Sequence, residues 1–144
     1  MSDASAVAAP QEPQPLVAHP AVAQLAALHH FRIYAPEKIA YAIERYTNEA
    51  KRLYGVMNKR LASSRYLGGA EYSIADIAVF PWLRSWRNQG IDWADFPHLK
   101  GWFDEIGHRP AVQRGVEVLA ALRKPLLDDR AREVLFGATQ YSRH

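Results

Sequence analysis

The clearest pattern in this chain is a run of apolar residues spaced alternately by four and three positions between Glu37 and Ala62. An α-helix brings residues three and four apart onto one face, so this spacing predicts a long amphipathic helix. Charged residues such as Glu44, Lys51 and Lys59 fall at other positions and are expected to face water. The apolar positions are Ile39, Ile43, Tyr46, Ala50, Leu53, Met57 and Leu61.

Shorter helical patterns, bounded by proline or glycine, occupy much of the remaining chain. One helix is expected from Ser73 to about Gln89, bent at Pro81, which has no backbone N–H, and ended by Gly90. Further helices are predicted over residues 20–28, 95–109, 111–122 and 126–136. No stretch of four or more residues alternates apolar and polar positions between turns, so no β-sheet is expected. The fold class predicted from these patterns is all-α.

Ser73 and Asp76 are placed to begin the helix that contains Pro81. In a capping box, the hydroxyl of Ser73 accepts from the amide of Asp76, and the carboxylate of Asp76 accepts from the amide of Ser73. A carboxylate in a cleft is also a candidate general base. Since capping accounts for Asp76 without any chemistry, both residues are interpreted as structural.

Composition favours one compact domain and a tail. The chain has 144 residues, of which 49% are hydrophobic, enough for one core. Residues 1–18 contain three prolines among small and polar residues, so we expect a flexible tail there and a helical domain over 19–144.

Several classes of function are disfavoured by charge and residue content. The net charge is +3, and basic residues are mixed with acidic ones, so no nucleic-acid partner is expected. No apolar run reaches the length of a membrane span or of a signal peptide core, and a cytoplasmic protein is predicted. The chain contains no cysteine, and its six histidines lack ligand spacing, so neither a cysteine nucleophile nor a metal site is expected.

Three separated blocks resemble, in order, the C-terminal half of a bacterial glutathione transferase of the Nu-class and disulfide-bond oxidoreductase branch. They are YAPEKIAYAIERYTNEAKRLYGVMNKRL (34–61), YLGGAEYSIADIAVFPWL (66–83) and FPHLKGWFDEIGHRPAVQRG (96–115). The resemblance implies a right-handed bundle of five or six helices, normally preceded by a thioredoxin-like domain that holds glutathione. Residues 1–30 are too few and too rich in proline to form that domain.

The resemblance also suggests binding residues. Arg45 matches a position that points from the long helix toward glutathione, where its planar guanidinium suits a carboxylate. The alternative is an exposed arginine paired with Glu44 or Glu49. Tyr41 and Phe31 are candidates for lining an apolar acceptor pocket, although their spacing also fits core or interface residues.

His30 belongs to a His-His-Phe stretch that, in similar proteins, shapes the entrance of the active site. The resemblance thus assigns substrate binding to His30, Phe31, Tyr41 and Arg45, and it assigns no catalytic residue.

The expected function is that of a glutathione transferase-like acceptor-side domain, unable to catalyse transfer alone. Glutathione is expected as a cofactor only with a partner domain, which a separate thioredoxin-fold chain would supply, and a homodimer is the other partner considered. Two alternatives stay open: a non-catalytic protein–protein interaction module and a carrier of small apolar ligands. Whether the chain is an enzyme is left undecided by the sequence.

Overall fold

The computed structural model describes residues 18–118, 120–122 and 128–137, and in these ranges the backbone forms helices and turns but no strand. The α-helices are α1 (Ala18–His29), α2 (Ala40–Leu61), α3 (Ile74–Leu83), α4 (Trp86–Gln89), α5 (Pro97–Gly107), α6 (Pro110–Glu117) and α7 (Asp129–Phe136). A π-helical turn spans His30–Tyr34, and 3₁₀ turns span Trp93–Asp95 and Ala120–Leu122. The all-α prediction is confirmed. Of the predicted tail, residues 1–17 lie outside the described residues.

The long helix α2 packs against α1 and α5 and forms the centre of the core. The helix begins at Ala40, later than predicted, and Ile39 precedes it in an extended conformation with 44% of its surface exposed. The buried residues of α2 are Ala50, Tyr54 and Met57. Tyr54 was missing from the predicted apolar face, although it lies one turn after Ala50. It is buried because its hydroxyl has a partner inside the protein.

The predicted helix from Ser73 to Gln89 is divided in the structure into α3 and α4. After Pro81, the backbone tightens into a turn in which the amide of Ser85 donates to the carbonyl of Trp82 at 3.3 Å. The prediction of a single kinked helix was therefore wrong. Gly90 ends α4 as expected, with a φ of 72° that favours glycine.

The two C-terminal helices are shorter than predicted. Helix α6 ends at Glu117 and not at Leu122, because Val118 leaves the helical conformation with a ψ of 124°. Helix α7 starts at Asp129, where the carboxylate of Asp128 accepts from the amide of Ala131 at 2.7 Å. An aspartate N-cap satisfies an amide that the helix itself cannot.

Asp76 connects three parts of the chain at the start of α3. Its side chain is wholly buried and accepts from the amide of Ser73 at 2.9 Å, from the amide of Leu67 at 3.0 Å and from the indole of Trp102 at 2.8 Å. The hydroxyl of Ser73 accepts from the amide of Ala75 at 3.3 Å, and the capping box is present. The carboxylate thus fixes α3 to α5 and to the loop before α3.

Candidate functional site

Five aromatic side chains meet where the π-helical turn, α2 and the end of α7 come together. We call them the aromatic cluster, and its members are His30, Phe31, Tyr34, Tyr46 and Phe136. Phe31 stacks on Tyr46 with ring centres 5.4 Å apart and an interplanar angle of 10°. His30 meets Phe31 edge-on at 5.2 Å and Phe136 at 5.0 Å. Phe136 also stacks on Tyr34 at 5.6 Å. Four of these rings are half-buried, and Phe136 is exposed at its rim.

The π-helical turn is held from two sides. The backbone hydrogen bond that defines the turn joins residues five apart: the amide of Ala35 donates to the carbonyl of His30 at 2.7 Å. The ammonium group of Lys38 donates to the carbonyls of Arg32 and Ile33 at 3.0 and 3.3 Å. Since π-helical turns are frequently found at functional sites, this one marks the neighbourhood of His30 and Phe31 as a candidate site.

Arg32 ties the same turn to the rest of the bundle. Its guanidinium donates to the hydroxyl of Thr47 on α2 at 3.3 Å and lies against Gly90. A Cβ atom at Gly90 would stand 2.9 Å from Nη1 of Arg32. Glycine is therefore favoured at this position by its positive φ, and any larger residue would also displace the guanidinium of Arg32.

Tyr41 and Arg45 lie one turn apart on the side of α2 that faces away from the core, and we call this pair the exposed face of α2. Tyr41 is 77% exposed, and Arg45 is exposed as well. At about 100° per residue, Tyr41 points about 140° around the helix from Tyr46. No ring contact joins either residue to the described part of the aromatic cluster.

Arg45 does not form the ion pair that was the alternative to ligand binding. Glu49 is instead held by Arg52, whose guanidinium donates to both carboxylate oxygens at 2.7 and 2.8 Å. This pairing lowers the pKa of Glu49, and the charge of Arg45 adds only the smallest contribution. Among the described residues Arg45 has no hydrogen bond, so its guanidinium is available to a ligand.

The four predicted binding residues therefore fall into two groups. His30 and Phe31 are together in the aromatic cluster, whereas Tyr41 and Arg45 share the exposed face of α2. Their role in binding stays a prediction.

A buried polar network beneath the π-helical turn was not found by sequence reasoning. The amide oxygen of Gln89 accepts from the hydroxyl of Tyr54 at 2.6 Å, and its nitrogen donates to the carbonyl of Trp82 at 2.9 Å. The same nitrogen lies 3.4 Å from Nε2 of His29, which stacks on Trp82. Burial raises the pKa of Tyr54 and lowers the pKa of His29. No sequence signal distinguished Gln89 from its polar neighbours.

Groups of metal-ligating side chains and membrane-spanning helices are both missing from the residues that the structure describes. These residues include no group of three or more histidine and acidic side chains that could hold a metal ion. Across the same residues, none of the helices has the length and apolar character required to cross a bilayer.

The helices that carry these residues match a known domain. Residues 40–105 fit the family model described as the glutathione S-transferase C-terminal domain. Residues 40–105 of the chain therefore belong to the C-terminal helical domain of the glutathione transferase family. The thioredoxin-like sheet normally attached to this domain is not among the described residues, which contain no strand.

Two relatives from Escherichia coli K-12 make the relationship more specific. The chain is 50% identical over 103 residues to the disulfide-bond oxidoreductase YfcG, which corresponds to 72% of this chain and 46% of YfcG. It is 45% identical over 93 residues to the disulfide-bond oxidoreductase YghU, covering 60% of this chain and 32% of YghU. The chain thus spans less than half the length of these curated relatives.

Solved structures show the same partial coverage. Ure2p in complex with S-hexylglutathione matches with a TM-score of 0.63 at 33% identity, over 67% of this chain and 48% of that one. A glutathione transferase family member from Pseudomonas fluorescens Pf-5 with two glutathione molecules bound matches with a TM-score of 0.60 at 36% identity, over 67% and 46%.

Proposed function

We propose that this chain provides the acceptor-side helical domain of a glutathione transferase-type protein and needs a thioredoxin-fold domain to bind glutathione. The observation that carries this proposal is the partial match to proteins that hold glutathione or its derivatives: this chain covers 48% and 46% of two of them, and its described elements are all helical. The assembled protein would act on disulfides or on glutathione conjugates in the cytoplasm. Its helical domain would be soluble and would span residues 19–144.

The chemistry of the exposed face of α2 supports a ligand role for Arg45. Its guanidinium is unpaired in the described part of the chain, and a planar fork can bind a glutathione carboxylate through two parallel hydrogen bonds. Tyr41, one turn away, offers a large exposed ring beside it. The aromatic cluster, with Phe31 and His30, offers an apolar surface for the second substrate.

Catalysis by this chain alone is not part of the proposal. The 144 residues of this chain include no cysteine, so any thiol or disulfide in the reaction belongs to glutathione, to the second substrate or to the partner domain. The buried hydroxyl of Tyr54 is bonded to Gln89, and burial raises its pKa, so it is unsuited to activating a thiol.

A fusion protein tests the proposal. In the fusion, residues 19–144 of this chain replace the helical half of YfcG. They follow the part of YfcG that this chain does not match. Calorimetric titration with glutathione and reduction of a small disulfide are then measured for the fusion and for the chain alone. We expect binding and turnover only in the fusion, and tight glutathione binding by the chain alone would contradict the proposal.

Arg45→Ala in the fusion examines the binding residue itself. We expect weaker glutathione binding by about tenfold, the size of one lost charge-assisted hydrogen-bond pair. Arg52→Ala is the matched control, because Arg52 lies on the same helix but is held by Glu49. Equal losses in both variants would indicate a general charge effect and would remove Arg45 from the site.

Assembly as a homodimer is a second candidate role, and the exposed apolar residues at the start of α2 favour it. Ile39 is 44% and Tyr41 77% exposed, and packing against a second copy of the chain would remove these two large apolar side chains from water. Sedimentation velocity of the chain is expected to show a dimer that Tyr41→Asp dissociates. A monomer at all concentrations would exclude this role.

A further inference from the structure

A buried amide lies beneath the π-helical turn, at the end of α4. Gln89 is wholly buried, its Oε1 accepts from the hydroxyl of Tyr54 at 2.6 Å, and its Nε2 donates to the carbonyl of Trp82 at 2.9 Å. The same Nε2 stands 3.4 Å from Nε2 of His29, the last residue of α1. The proposed function gives this network no role.

The orientation of the Gln89 amide is fixed by the carbonyl of Trp82. Turning the amide over would replace the donated N–H with an oxygen, and two acceptors would then face each other at 2.9 Å. The nitrogen therefore stays on the side of Trp82. A primary amide nitrogen carries two N–H groups, and the second of these is available to His29.

This orientation selects one tautomer of His29. An amide nitrogen does not accept hydrogen bonds, so Nε2 of His29 has to be the acceptor, and the proton of the neutral ring belongs on Nδ1. A protonated imidazole carries hydrogens on both nitrogens, and its Nε2–H would point at the N–H of Gln89. Because Trp82 and Tyr54 hold the amide, the ring of His29 has to move instead.

His29 is joined directly to the π-helical turn, so its movement reaches the aromatic cluster. The carbonyl of the next residue, His30, accepts from the amide of Ala35 at 2.7 Å, which is the bond that defines the turn. His30 meets Phe31 edge-on, and Phe31 stacks on Tyr46. Displacing His29 therefore moves the peptide that anchors this bond and the two rings that follow it.

Burial is the cause of the lowered pKa of His29, whose ordinary value is 6.5. Among the described residues no ion pair joins His29 to another side chain, and Tyr54 reaches it only through Gln89. The buried and half-buried titratable residues on the elements packed against α1 are Tyr46, Glu49 and Tyr54 on α2, Asp76 on α3, and His30, Arg32 and Tyr34 on the π-helical turn. The charged residues of α2 and α4 outside this set are exposed, so no charge in these elements replaces the contact with Gln89.

We propose that Gln89 is a positioning residue that holds His29 as the neutral Nδ1–H tautomer, and that protonation of His29 releases the π-helical turn carrying His30 and Phe31. The aromatic cluster is then ordered at neutral pH and loosened in mildly acidic solution. The consequence for the second substrate rests on the proposed function, whereas the tautomer and the response of the turn do not.

The first test determines the tautomer of His29 in the full chain at pH 7.5, with long-range ¹H–¹⁵N NMR spectra that distinguish a protonated Nδ1 from a protonated Nε2. We expect the Nδ1–H tautomer in the unaltered chain and a mixture of both tautomers in Gln89→Met, which keeps the length of the side chain without a donor. Asn88→Met is the matched control and should leave the tautomer unchanged, because Asn88 adjoins Gln89 on α4 but is exposed. A ring protonated on Nε2 in the unaltered chain, or a single Nδ1–H tautomer in Gln89→Met, would overturn the proposal.

The second test follows the turn itself as the pH is lowered from 7.5 to 5.0. It uses His30→Gln, because His30 places a second imidazole in the turn. The amide resonance of Ala35 is expected to shift with the same midpoint as the ring of His29, below pH 6.5, and to lose protection from hydrogen exchange over the same range. Adding His29→Phe keeps a ring against Trp82 and should abolish the shift. An Ala35 amide that does not respond to the titration of His29, or that still shifts in the double variant, would refute the release of the turn.

These measurements separate this inference from the proposed function. Neither needs glutathione, a second substrate or a partner domain, so a fusion without turnover leaves both results intact. Conversely, a turn that stays rigid or a ring in the other tautomer would refute the inference and leave glutathione binding by the fusion unaffected.

Discussion

Asp76 and Arg45 are both charged residues near the N-terminal end of a helix, yet their surroundings differ completely. Asp76 is wholly buried, and four donors from the loop before α3, the helix start and Trp102 reach its carboxylate. Arg45 is exposed and has no hydrogen bond in the described part of the chain. A buried charge whose bonding capacity is used inside the protein supports the fold, whereas an exposed and unpaired one is available to a ligand.

The largest effect is expected from removing the buried carboxylate. Asp76→Ala leaves the amides of Leu67 and Ser73 and the indole of Trp102 without their acceptor, and each unsatisfied buried group costs about 1–3 kcal/mol. We expect the free energy of unfolding, measured with urea, to fall by about 3 kcal/mol or more.

Asp104→Ala is the matched control for this comparison. Asp104 lies on the surface of α5, and its carboxylate pairs with Lys100 alone among the described residues, so its loss should change stability by less than about 0.5 kcal/mol. If Asp76→Ala lowers the free energy of unfolding by less than about 1 kcal/mol, the hydrogen bonds of the buried carboxylate do not stabilise the fold as proposed.

A smaller loss is expected from the other buried polar contact. Tyr54→Phe removes the donor to the amide oxygen of Gln89, which is wholly buried, and should lower the free energy of unfolding by about 1–2 kcal/mol. Tyr41→Phe removes the same atom from an exposed ring and should have no measurable effect. Equal values for the two variants would show that burial does not decide the cost of losing a tyrosine hydroxyl.

The pH dependence of stability is expected to reveal the half-buried His29. Burial lowers its pKa from the ordinary value of 6.5, so the unfolded chain takes up the proton first as pH falls. The contribution of His29 is complete above pH 6.5 and is lost as pH falls from there toward the pKa of the folded state. Because solvent screens this half-exposed ring, the loss should stay below about 1 kcal/mol.

The measurement for His29 is the urea midpoint at pH 7.5 and at pH 5.5. His29→Gln keeps a polar side chain near Gln89 without a titrating group, so the difference between the two pH values should shrink in this variant. An unchanged difference would assign the pH dependence to other groups.

The smallest effect on stability is expected at the exposed face of α2. Tyr41→Ala and Arg45→Ala remove side chains with no structural partner in the described residues, and each should change the free energy of unfolding by less than about 0.5 kcal/mol. If either variant lowers the free energy of unfolding by more than about 1 kcal/mol in thermal or urea unfolding, this face stabilises the fold and is not a free ligand-binding surface.

Helix periodicity predicted where the helices lie better than where they end. The spacing of apolar residues located α2 and α5, because burial on one face of a regular helix leaves a repeating trace in the sequence. The break between α3 and α4 and the end of α6 at Glu117 left no such trace. These boundaries follow from turns and from packing against other helices, which periodicity does not encode.

The candidate site was also only partly predictable. His30 and Phe31 were chosen by resemblance, but the contact between His30 and Phe136 joins residues more than 100 positions apart, which no local pattern can indicate. Gln89 was overlooked for the same reason, since its partners come from α1, α2 and α3. Polar side chains enter a core only where distant donors and acceptors meet them.

The amino-acid sequence by itself determined the helical class, the capping of α3 and the family resemblance, because each depends on residues close together in the chain. Only the tertiary structure decided which charged groups form hydrogen bonds inside the protein and which remain available to a ligand. Asp76 and Arg45 differ in this respect because hydrogen bonding and burial depend on neighbours in space, and helices far apart in sequence supply those neighbours.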